Sequence, residues 1–285
     1  EQKIKDREII EEKSRQLEQL AMRLAKYLSP QIYESIFSDQ QGAATKTARK
    51  NLTIFFSDIE SFTELSDSLE PERLAAVVNS YLSEMSSIAI ECGGTIDKFI
   101  GDAILVFFGD PQTRGEQEDA LSCVEMALRM QQRVAELQRY WTKHGVSKGI
   151  RVRMGISTGY CTVGNFGSEQ RLEYTVLGGP VNVAARLQLY APEDGILVSE
   201  STYNLISDHV NCDHFDKVTP KGIARPVNVY QVRDFISETH RERRRRLSRV
   251  GDRVEVNVID STDIRAAIEE LRRIQLEFEQ QYAED

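Results

Sequence analysis

The sequence lacks the marks of several protein classes. No uninterrupted apolar run approaches the roughly 18 residues that a membrane-spanning helix requires. The first residues, EQKIKDREIIEEK, contain neither an initiator Met nor the apolar core of a signal peptide, so we interpret the chain as a fragment of a longer protein. The four cysteines show no paired spacing, which is typical of reduced thiols. We expect a cytoplasmic fragment whose full-length protein is either free or membrane-associated.

Composition and charge narrow the possible functions further. Hydrophobic residues make up 40% and charged residues 28% of the 285 residues, which is enough apolar material for a sizeable core and excludes a largely disordered chain. The net charge of −9 disfavours nucleic acid as a partner. A polyanionic substrate would therefore need metal ions or a local basic patch. Neither a Walker A motif nor a Rossmann glycine fingerprint is present, so the usual phosphate-binding loops are excluded.

The chain divides by composition into three segments. Residues 1–46 are a charged helical linker in which Ile10, Leu17 and Leu24 repeat every seven residues. This pattern fits a short coiled coil and fits equally well a helix packed on its own domain. Residues 47–235 carry the apolar strand patterns of a folded domain. Residues 236–285 form a charged extension, and we interpret its Arg-rich run at 241–246 as a solvated helix face in preference to a lipid or nucleic-acid site.

Apolar periodicity predicts alternating strands and helices between residues 47 and 235. The predicted strands cover 52–56, 95–100, 103–108, 150–157, 160–166, 171–177, 195–199, 211–219 and 225–233. One predicted helix begins at Ser61, and the others cover 71–91, 115–143, 179–190 and 200–207. This order indicates an α+β fold, an α/β sandwich with a ferredoxin-like split βαβ sheet and helices packed on one face.

Two aspartates each interrupt a run of apolar strand residues. Asp58 follows LTIFFS, and Asp102 lies in the turn between TIDKFI and AILVFF. Because Asp is common in turns, either residue alone is more simply explained as a turn cap. Together they can meet at one edge of a sheet, where two facing carboxylates persist best around divalent cations. The pair therefore predicts a metal site.

Two further segments carry groups suited to phosphate. The helix predicted to begin at Ser61 has Phe62 and Thr63 in its first turn, and the free backbone N–H groups there would face whatever Asp58 binds. Asn182 and Arg186 are four residues apart, so they share one face of a predicted helix with small apolar residues between them. An Arg fork suits a phosphoryl oxygen, although an Arg paired with a structural carboxylate remains the alternative.

Three long motifs in order carry a resemblance to a known family. FSDIESFT, DKFIGDAIL and YTVLGGPVNVAAR together resemble the class III nucleotidyl cyclase catalytic domain, over roughly residues 50–233. The residue pattern of these motifs is similar to that of bacterial adenylyl cyclases related to the soluble, bicarbonate-responsive group. This resemblance implies a phosphorus–oxygen lyase that converts ATP to 3′,5′-cyclic AMP and pyrophosphate.

The resemblance also implies roles for individual residues. Asp58 and Asp102, with the backbone carbonyl of Ile59, would hold two Mg²⁺ or Mn²⁺ ions. One ion would help activate the ribose 3′-OH for attack on the α-phosphate, and the other would bind the triphosphate. Asn182 would orient the ribose, and Arg186 would stabilise charge on the α-phosphate in the transition state.

Base and triphosphate recognition are implied at other positions. Adenylyl cyclases of this family place Lys and either Asp or Thr where this chain has Lys98 and Thr175, whereas guanylyl cyclases usually place Glu and a small residue such as Cys there. Lys98 and Thr175 therefore indicate selectivity for ATP. Tyr160 stands where some relatives have a triphosphate-binding Arg, for which Arg153 is the candidate substitute. Lys221 resembles the family's other triphosphate-binding cation.

The implied assembly is a head-to-tail homodimer with two shared sites. In the family, the metal aspartates come from one subunit, and the residues matching Lys98, Thr175, Asn182 and Arg186 come from the other. Upstream sensor domains and bicarbonate as an activator are further expectations. The alternatives are a guanylyl cyclase, which Lys98 disfavours, and an inactive cyclase-like regulatory or dimerisation module, which the intact Asp and Asn/Arg positions disfavour.

Overall fold

The computed structural model separates the chain into two compact units, Glu1–Asp234 and Phe235–Asp285. It describes residues 10, 12–21, 32–33, 47–143, 145–146, 149–168, 170–218, 226–237, 248–250, 255–258 and 264–282. Within these residues no helix is both long enough and apolar enough to cross a membrane.

The first unit alternates strands and helices in the predicted order. Its strands are β1 (Ala48–Ile59), β2 (Thr95–Ile100), β3 (Ala103–Phe108), β4 (Val152–Ser168), β5 (Arg171–Leu177), β6 (Ile196–Ser199), β7 (Val210–Val218) and β8 (Val227–Phe235). Its helices are α1 (Phe62–Ser68), α2 (Pro71–Glu91), α3 (Glu116–Lys143), α4 (Gly179–Tyr190) and α5 (Glu200–Ile206). The predicted α+β fold is confirmed, since a sheet with helices packed on it forms the unit.

The strands form one sheet in the order β2-β3-β1-β4-β6-β8-β7, with β5 paired to β4 outside this path. β1 lies between β3 and β4 and is antiparallel to both. β4 and β6 are parallel, as expected for two strands joined by a helical crossover. The end of β1 and the turn between β2 and β3 therefore meet at one edge of the sheet, which is where the two aspartates lie.

Alternate residues of the strands face two different layers of helices. Phe55 of β1 and Met154 of β4 belong to a large core that includes residues of α2, α3 and α5. Leu52 and Ile54 of β1 face the other side, where Ala184 of α4 packs. The expectation that the helices lie on one face is therefore wrong for α4, because both faces of the central strands are apolar and both must be covered.

Two of the strands predicted between residues 150 and 166 are one long strand, β4. Gly159, which lies between the two predicted strands, pairs with Leu52 in uninterrupted register with β1. The packing of α4 against Gly155 explains why this position of the strand is a glycine. A Cβ there would lie 2.2 Å from the carbonyl oxygen of Ala184 and 2.4 Å from the backbone nitrogen of Gln188, so only glycine lets α4 approach so closely.

The segments outside the sheet are described in part. Residue 10 and residues 12–21 are helical, with Ile10, Leu17 and Leu20 exposed. Leu24 lies outside the described residues, so the coiled coil stays a prediction. The second unit contains a short hairpin of β9 (Ser248–Val250) and β10 (Glu255–Asn257), and a helix α6 (Ile264–Tyr282). The Arg-rich run at 241–246 also lies outside the described residues.

All four cysteines are free thiols. Cys92, Cys123 and Cys161 are buried, and Cys212 is partly buried. Burial raises the pKa of Cys161 to about 11 and that of Cys212 to about 12. These thiols are therefore protonated at neutral pH.

Candidate active site

Asp58 and Asp102 lie at the same edge of the sheet. Asp58 is the penultimate residue of β1, and Asp102 lies in the turn that joins β2 to β3, the strand paired with β1. The backbone N–H of Ile59 donates a hydrogen bond of 2.8 Å to Oδ2 of Asp102. This bond ties the β2–β3 turn to the end of β1, so the two carboxylates are held beside each other by backbone structure.

The electrostatics of this pair suit a bound cation. Burial raises the pKa of both carboxyl groups above their ordinary values, and the charge of Asp102 raises the pKa of Asp58 further. Arg153 lowers the pKa of Asp58 in part, and the N–H of Ile59 lowers that of Asp102. A divalent cation between the two groups would offset both the burial and the repulsion. The two carboxylates therefore fit such an ion.

The number of protein ligands indicates what kind of ion fits. Among the described residues there is no group of three or more His, Cys, Asp or Glu side chains that could hold a metal. Mg²⁺ is commonly bound by one or two carboxylates together with water and substrate phosphates. The donor set at Asp58 and Asp102 thus fits Mg²⁺ or Mn²⁺ bound together with a phosphate-bearing molecule.

Arg153 is placed against Asp58. The two residues face each other across β1 and β4, and the guanidinium Nε and Nη2 lie 3.4 and 3.3 Å from the two carboxylate oxygens of Asp58. Both side chains are about one-fifth exposed, at 21% and 20%. The role of Arg153 as a triphosphate ligand stays a prediction. Its position beside Asp58, a predicted metal ligand, is compatible with that role.

Lys98 of β2 and Thr175 of β5 are brought together by the fold, although their strands are not hydrogen-bonded neighbours in the sheet. Asp97 connects them. Its Oδ2 accepts a hydrogen bond of 2.7 Å from the Thr175 hydroxyl, and its Oδ1 lies 3.5 Å from Nζ of Lys98. Lys98 also forms an ion pair of 2.7 Å with Glu173.

Lys98 remains a cation in this setting. Burial alone would lower the pKa of Lys98, but the hydrogen bond that it donates to Glu173 and the charge of Asp97 outweigh burial, and the pKa is raised above its ordinary value. The ammonium therefore donates hydrogen bonds at any physiological pH.

Asn182 and Arg186 share the exposed side of α4. The opposite side of this helix packs on the sheet through Ala184 and Leu187, which are fully buried. Pro180 near the helix start favours helix initiation because its fixed φ suits the first turn. The predicted shared face is thus present, and the two side chains are available to a ligand or to another molecule.

The helix that follows Asp58 is short. Ser61 precedes it with a left-handed backbone (φ 53°), so the chain turns sharply between Asp58 and α1. Phe62 packs against the main core, and Thr63 is exposed. Lys221 lies outside the described residues, so its proposed role stays a prediction.

Two residues beside the predicted site, Asp97 and Gln188, could not be identified from their sequence motifs alone. Asp97 lies beside Lys98 in sequence but reads only as part of a strand, and its burial depends on β5 folding over β2. Gln188 is buried and lowers the pKa of the Asp58 carboxyl slightly, while its own Nε2 has no hydrogen-bond partner among the described residues. It lies four residues beyond Ala184, on the side of α4 that packs on the sheet, so the periodicity of α4 was the available signal.

A family of known proteins matches most of this chain. The family described as "Adenylate and Guanylate cyclase catalytic domain" matches residues 44–234. The crystal structure of the adenylyl cyclase CyaB from P. aeruginosa is 50% identical and superposes with a TM-score of 0.65, covering 66% of this chain and 96% of that one. The crystal structure of the guanylyl cyclase Cya2 is 36% identical with a TM-score of 0.64, covering 67% of this chain and 95% of that one.

Curated relatives include cyclases much longer than this chain. The adenylate cyclase of Anabaena cylindrica is 34% identical over 217 residues, which is 72% of this chain and 40% of that protein. Two other matching adenylate cyclases, from Dictyostelium discoideum and Rhizobium meliloti, are covered over only 9% and 28% of their length.

Proposed function

This chain belongs to the adenylate and guanylate cyclase catalytic domain family, and on that premise we propose that it is an adenylyl cyclase that converts ATP to 3′,5′-cyclic AMP and pyrophosphate. The observation that carries the choice of ATP is the meeting of Lys98 and Thr175 around the buried Asp97. Adenine offers an acceptor at N1 and a donor at its 6-amino group. An ammonium and a hydroxyl oxygen are complementary to that pair.

The chemistry at Asp58 and Asp102 depends on divalent cations. Two Mg²⁺ or Mn²⁺ ions bound there would make the ribose 3′-OH a better nucleophile and neutralise charge on the pyrophosphate. The chain's own contribution is to hold the two carboxylates together, through the Ile59 N–H bond to Asp102 and the Arg153 contact to Asp58. The backbone carbonyl of Ile59 is the further ligand in this proposal.

Other side chains position the nucleotide. Asn182 orients the ribose, and Arg186 stabilises the charge that develops on the α-phosphate during attack. The first backbone N–H groups of α1, at Phe62 and Thr63, face phosphate oxygens. Arg153 and Lys221 assist in binding the terminal phosphates.

The active form in this proposal is a head-to-tail homodimer with two shared sites. Exposed apolar side chains next to the base-recognition residues support it: Phe99 and Ile100 follow Lys98, and Leu172 and Leu177 flank Thr175. Exposed apolar residues grouped near a functional site favour an interface. The exposure of Asn182 and Arg186 is also consistent with donation to a site on a second subunit.

The surroundings of the domain are proposed on the resemblance alone. A substrate such as ATP favours the cytoplasm, and the helical segment before residue 47 would connect the domain to upstream sensor domains. Bicarbonate is the candidate activator because the sequence texture is similar to that of the bicarbonate-responsive group.

A guanylyl cyclase is the alternative function, since a guanylyl cyclase is among the similar structures. Lys98 argues against it, because guanine presents a donor at N1 and a carbonyl at position 6. The deciding experiment supplies ATP or GTP with Mn²⁺ and measures cyclic product, with and without bicarbonate at fixed pH. Cyclic AMP as the preferred product supports the proposal. A preference for GTP, or no product from either nucleotide, contradicts it.

A further inference from the structure

We propose that Asp97 is a positioning residue that fixes the Thr175 hydroxyl as a hydrogen-bond acceptor and so makes the site select a 6-amino purine over a 6-oxo purine. This inference rests on the proposed nucleotide cyclase function. It concerns a residue that the sequence analysis did not single out.

A β-bulge aims Asp97 away from its own ladder. In the pairing of β2 with β3, Ile96 lies opposite Val106 and Lys98 lies opposite Leu105, so Asp97 is the extra residue. A bulge of this kind re-aims a side chain and is common beside functional sites. Here it directs the carboxylate towards β5, a strand with which β2 has no ladder.

The carboxylate is completely enclosed and has few partners. The Asp97 side chain has 0% of its surface exposed. Oδ2 accepts the Thr175 hydroxyl at 2.7 Å and, more weakly, the backbone N–H of Val176 at 3.4 Å. Within the described part of the chain Oδ1 has no hydrogen-bond partner, and Nζ of Lys98 at 3.5 Å is at ion-pair distance but too long for a good hydrogen bond.

Burying the Asp97 carboxylate costs free energy of folding, so its presence needs an explanation. A buried carboxylate needs several donors to offset its lost hydration, and Asp97 receives only one short hydrogen bond. Burial accordingly raises the pKa of Asp97, while Thr175, Lys98 and Val176 act in the opposite direction. A neutral residue would join β2 to β5 at lower cost, so strand connection alone does not explain a carboxylate at this position.

The consequence for Thr175 follows from counting protons. A hydroxyl has one proton and two lone pairs, so a free Thr can either donate to a ligand or accept from it. An ionised carboxylate can only accept, so the single proton of Thr175 is committed to Asp97. The oxygen that remains towards the nucleotide is an acceptor only. It can bind the 6-amino group of adenine and is repelled by the 6-carbonyl of guanine or hypoxanthine.

This arrangement lets an uncharged Thr discriminate strictly. Sites whose polar groups match a substrate donor reject analogues that lack it, because the group is then left unpaired. Asp97 fixes the Thr175 hydroxyl as an acceptor, whereas the hydroxyl alone could either donate or accept. Lys98, whose Nζ lies 3.5 Å from Oδ1 of Asp97, would read N1, so the test has to separate an effect through Thr175 from one through Lys98.

The test replaces Asp97 with Asn, which has the same shape but can also donate. In Asp97→Asn the amide can donate to the Thr175 oxygen, so the hydroxyl proton becomes free to turn towards a carbonyl. With Mn²⁺ at neutral pH, we expect the ratio of kcat/KM for ATP to that for inosine triphosphate to fall by about tenfold, the factor that one hydrogen bond typically decides. The ATP to GTP ratio should fall in the same way.

Two further variants separate positioning from structure. Thr175→Ser keeps the hydroxyl and should keep the wild-type ratio. In a Thr175→Val background, Asp97→Asn should change the ratio no further, because the effect acts through the hydroxyl. A purely structural lesion would lower kcat/KM for all nucleotides together and leave the ratio unchanged. If Asp97→Asn does not fold, Asp97→Ala, which also frees the Thr175 proton, is expected to give the same fall.

The outcomes distinguish this inference from the proposed function. A wild-type enzyme that prefers ATP, with a ratio unchanged within about twofold in the Asp97 variants, overturns the inference and leaves the function standing. Additive effects of Asp97→Asn and Thr175→Val overturn it in the same way. A wild-type chain that prefers GTP or makes no cyclic product refutes the proposed function itself, and the inference with it.

Discussion

At the scale of single residues, the two proposed metal ligands are held by different partners. Asp58 contacts Arg153, a side chain that can move, whereas Asp102 accepts from the backbone N–H of Ile59. An Asn at position 102 can still accept that backbone bond through its amide oxygen. Asp102 therefore permits a clean substitution that removes charge and keeps the turn.

We predict that Asp102→Asn lowers kcat by at least roughly 10²–10³-fold, the range for losing one preorganised charge at a reacting centre. The melting temperature should stay close to that of the wild type, because burial disfavours the ionised carboxylate that is removed. Cyclic product formation with saturating Mn²⁺ is the measurement. Asp67→Asn, an exposed carboxylate on α1, is the control and should retain activity. Near-normal turnover in Asp102→Asn would refute the metal role.

Base selection is a second residue-scale prediction. Lys98→Glu combined with Thr175→Cys should lower the kcat/KM ratio of ATP to GTP by about 100-fold, since each of two hydrogen bonds typically decides about tenfold. Steady-state rates with both nucleotides measure it. Lys217→Glu makes the same charge change at an exposed position of β7 and should leave the ratio unchanged. If the double variant keeps the wild-type ratio, the base is recognised elsewhere.

At the scale of elements, the contact between β4 and α4 positions Asn182 and Arg186. Gly155 allows this contact, because a side chain there would enter the backbone of α4 at Ala184 and Gln188. Gly159 makes a second close approach, since a Cβ there would lie 2.8 Å from a ring carbon of Pro180. The two glycines, on one face of β4, thus set the distance of the helix from the sheet.

We predict that Gly155→Ala lowers the free energy of unfolding by about 3 kcal/mol, because the added methyl must push α4 away from the sheet. Urea unfolding followed by circular dichroism measures the change. Gly179→Ala is the matched control, since a Cβ there meets nothing within 4 Å and the residue lies in the first turn of α4. A Gly155→Ala variant as stable as the control would show that the helix yields freely.

Elements with clear local signals could be predicted from the sequence. The predicted bounds of α2 and α4 are those that the structure has, because Pro71 and Pro180 mark their starts and apolar periodicity runs to their ends. β4 could not be predicted as one strand, since glycine reads as a break unless the helix opposite it is known. The burial of Asp97 could not be predicted for a related reason. A bulge and a neighbouring strand bury this residue, and neither feature has a local sequence signal.

At the scale of the whole molecule, the proposed homodimer makes a prediction about mixtures. Asp58→Asn and Arg186→Ala each break both sites of their own homodimer. A mixed dimer would carry both lesions in one site and leave the other intact. With free exchange half of the dimers are mixed, so an equal mixture should recover roughly a quarter of wild-type activity. Cyclic AMP formation after co-incubation is the measurement.

The control for this experiment is subunit exchange shown independently. If exchange occurs and the mixture has no more activity than the two variants measured separately, each site is built within one chain. The same result would remove the support that the exposed side chains near Lys98 and Thr175 give to the dimer.

The enclosed thiols make that exchange measurable without altering the native cysteines. Maleimide dyes react with thiolates, and the raised pKa values and burial of the native cysteines leave almost none available at neutral pH. A single cysteine introduced on an exposed residue such as Lys217 would therefore take up the dye selectively. Donor-labelled and acceptor-labelled pools of otherwise native sequence can then be mixed, and energy transfer reports directly how fast partners change.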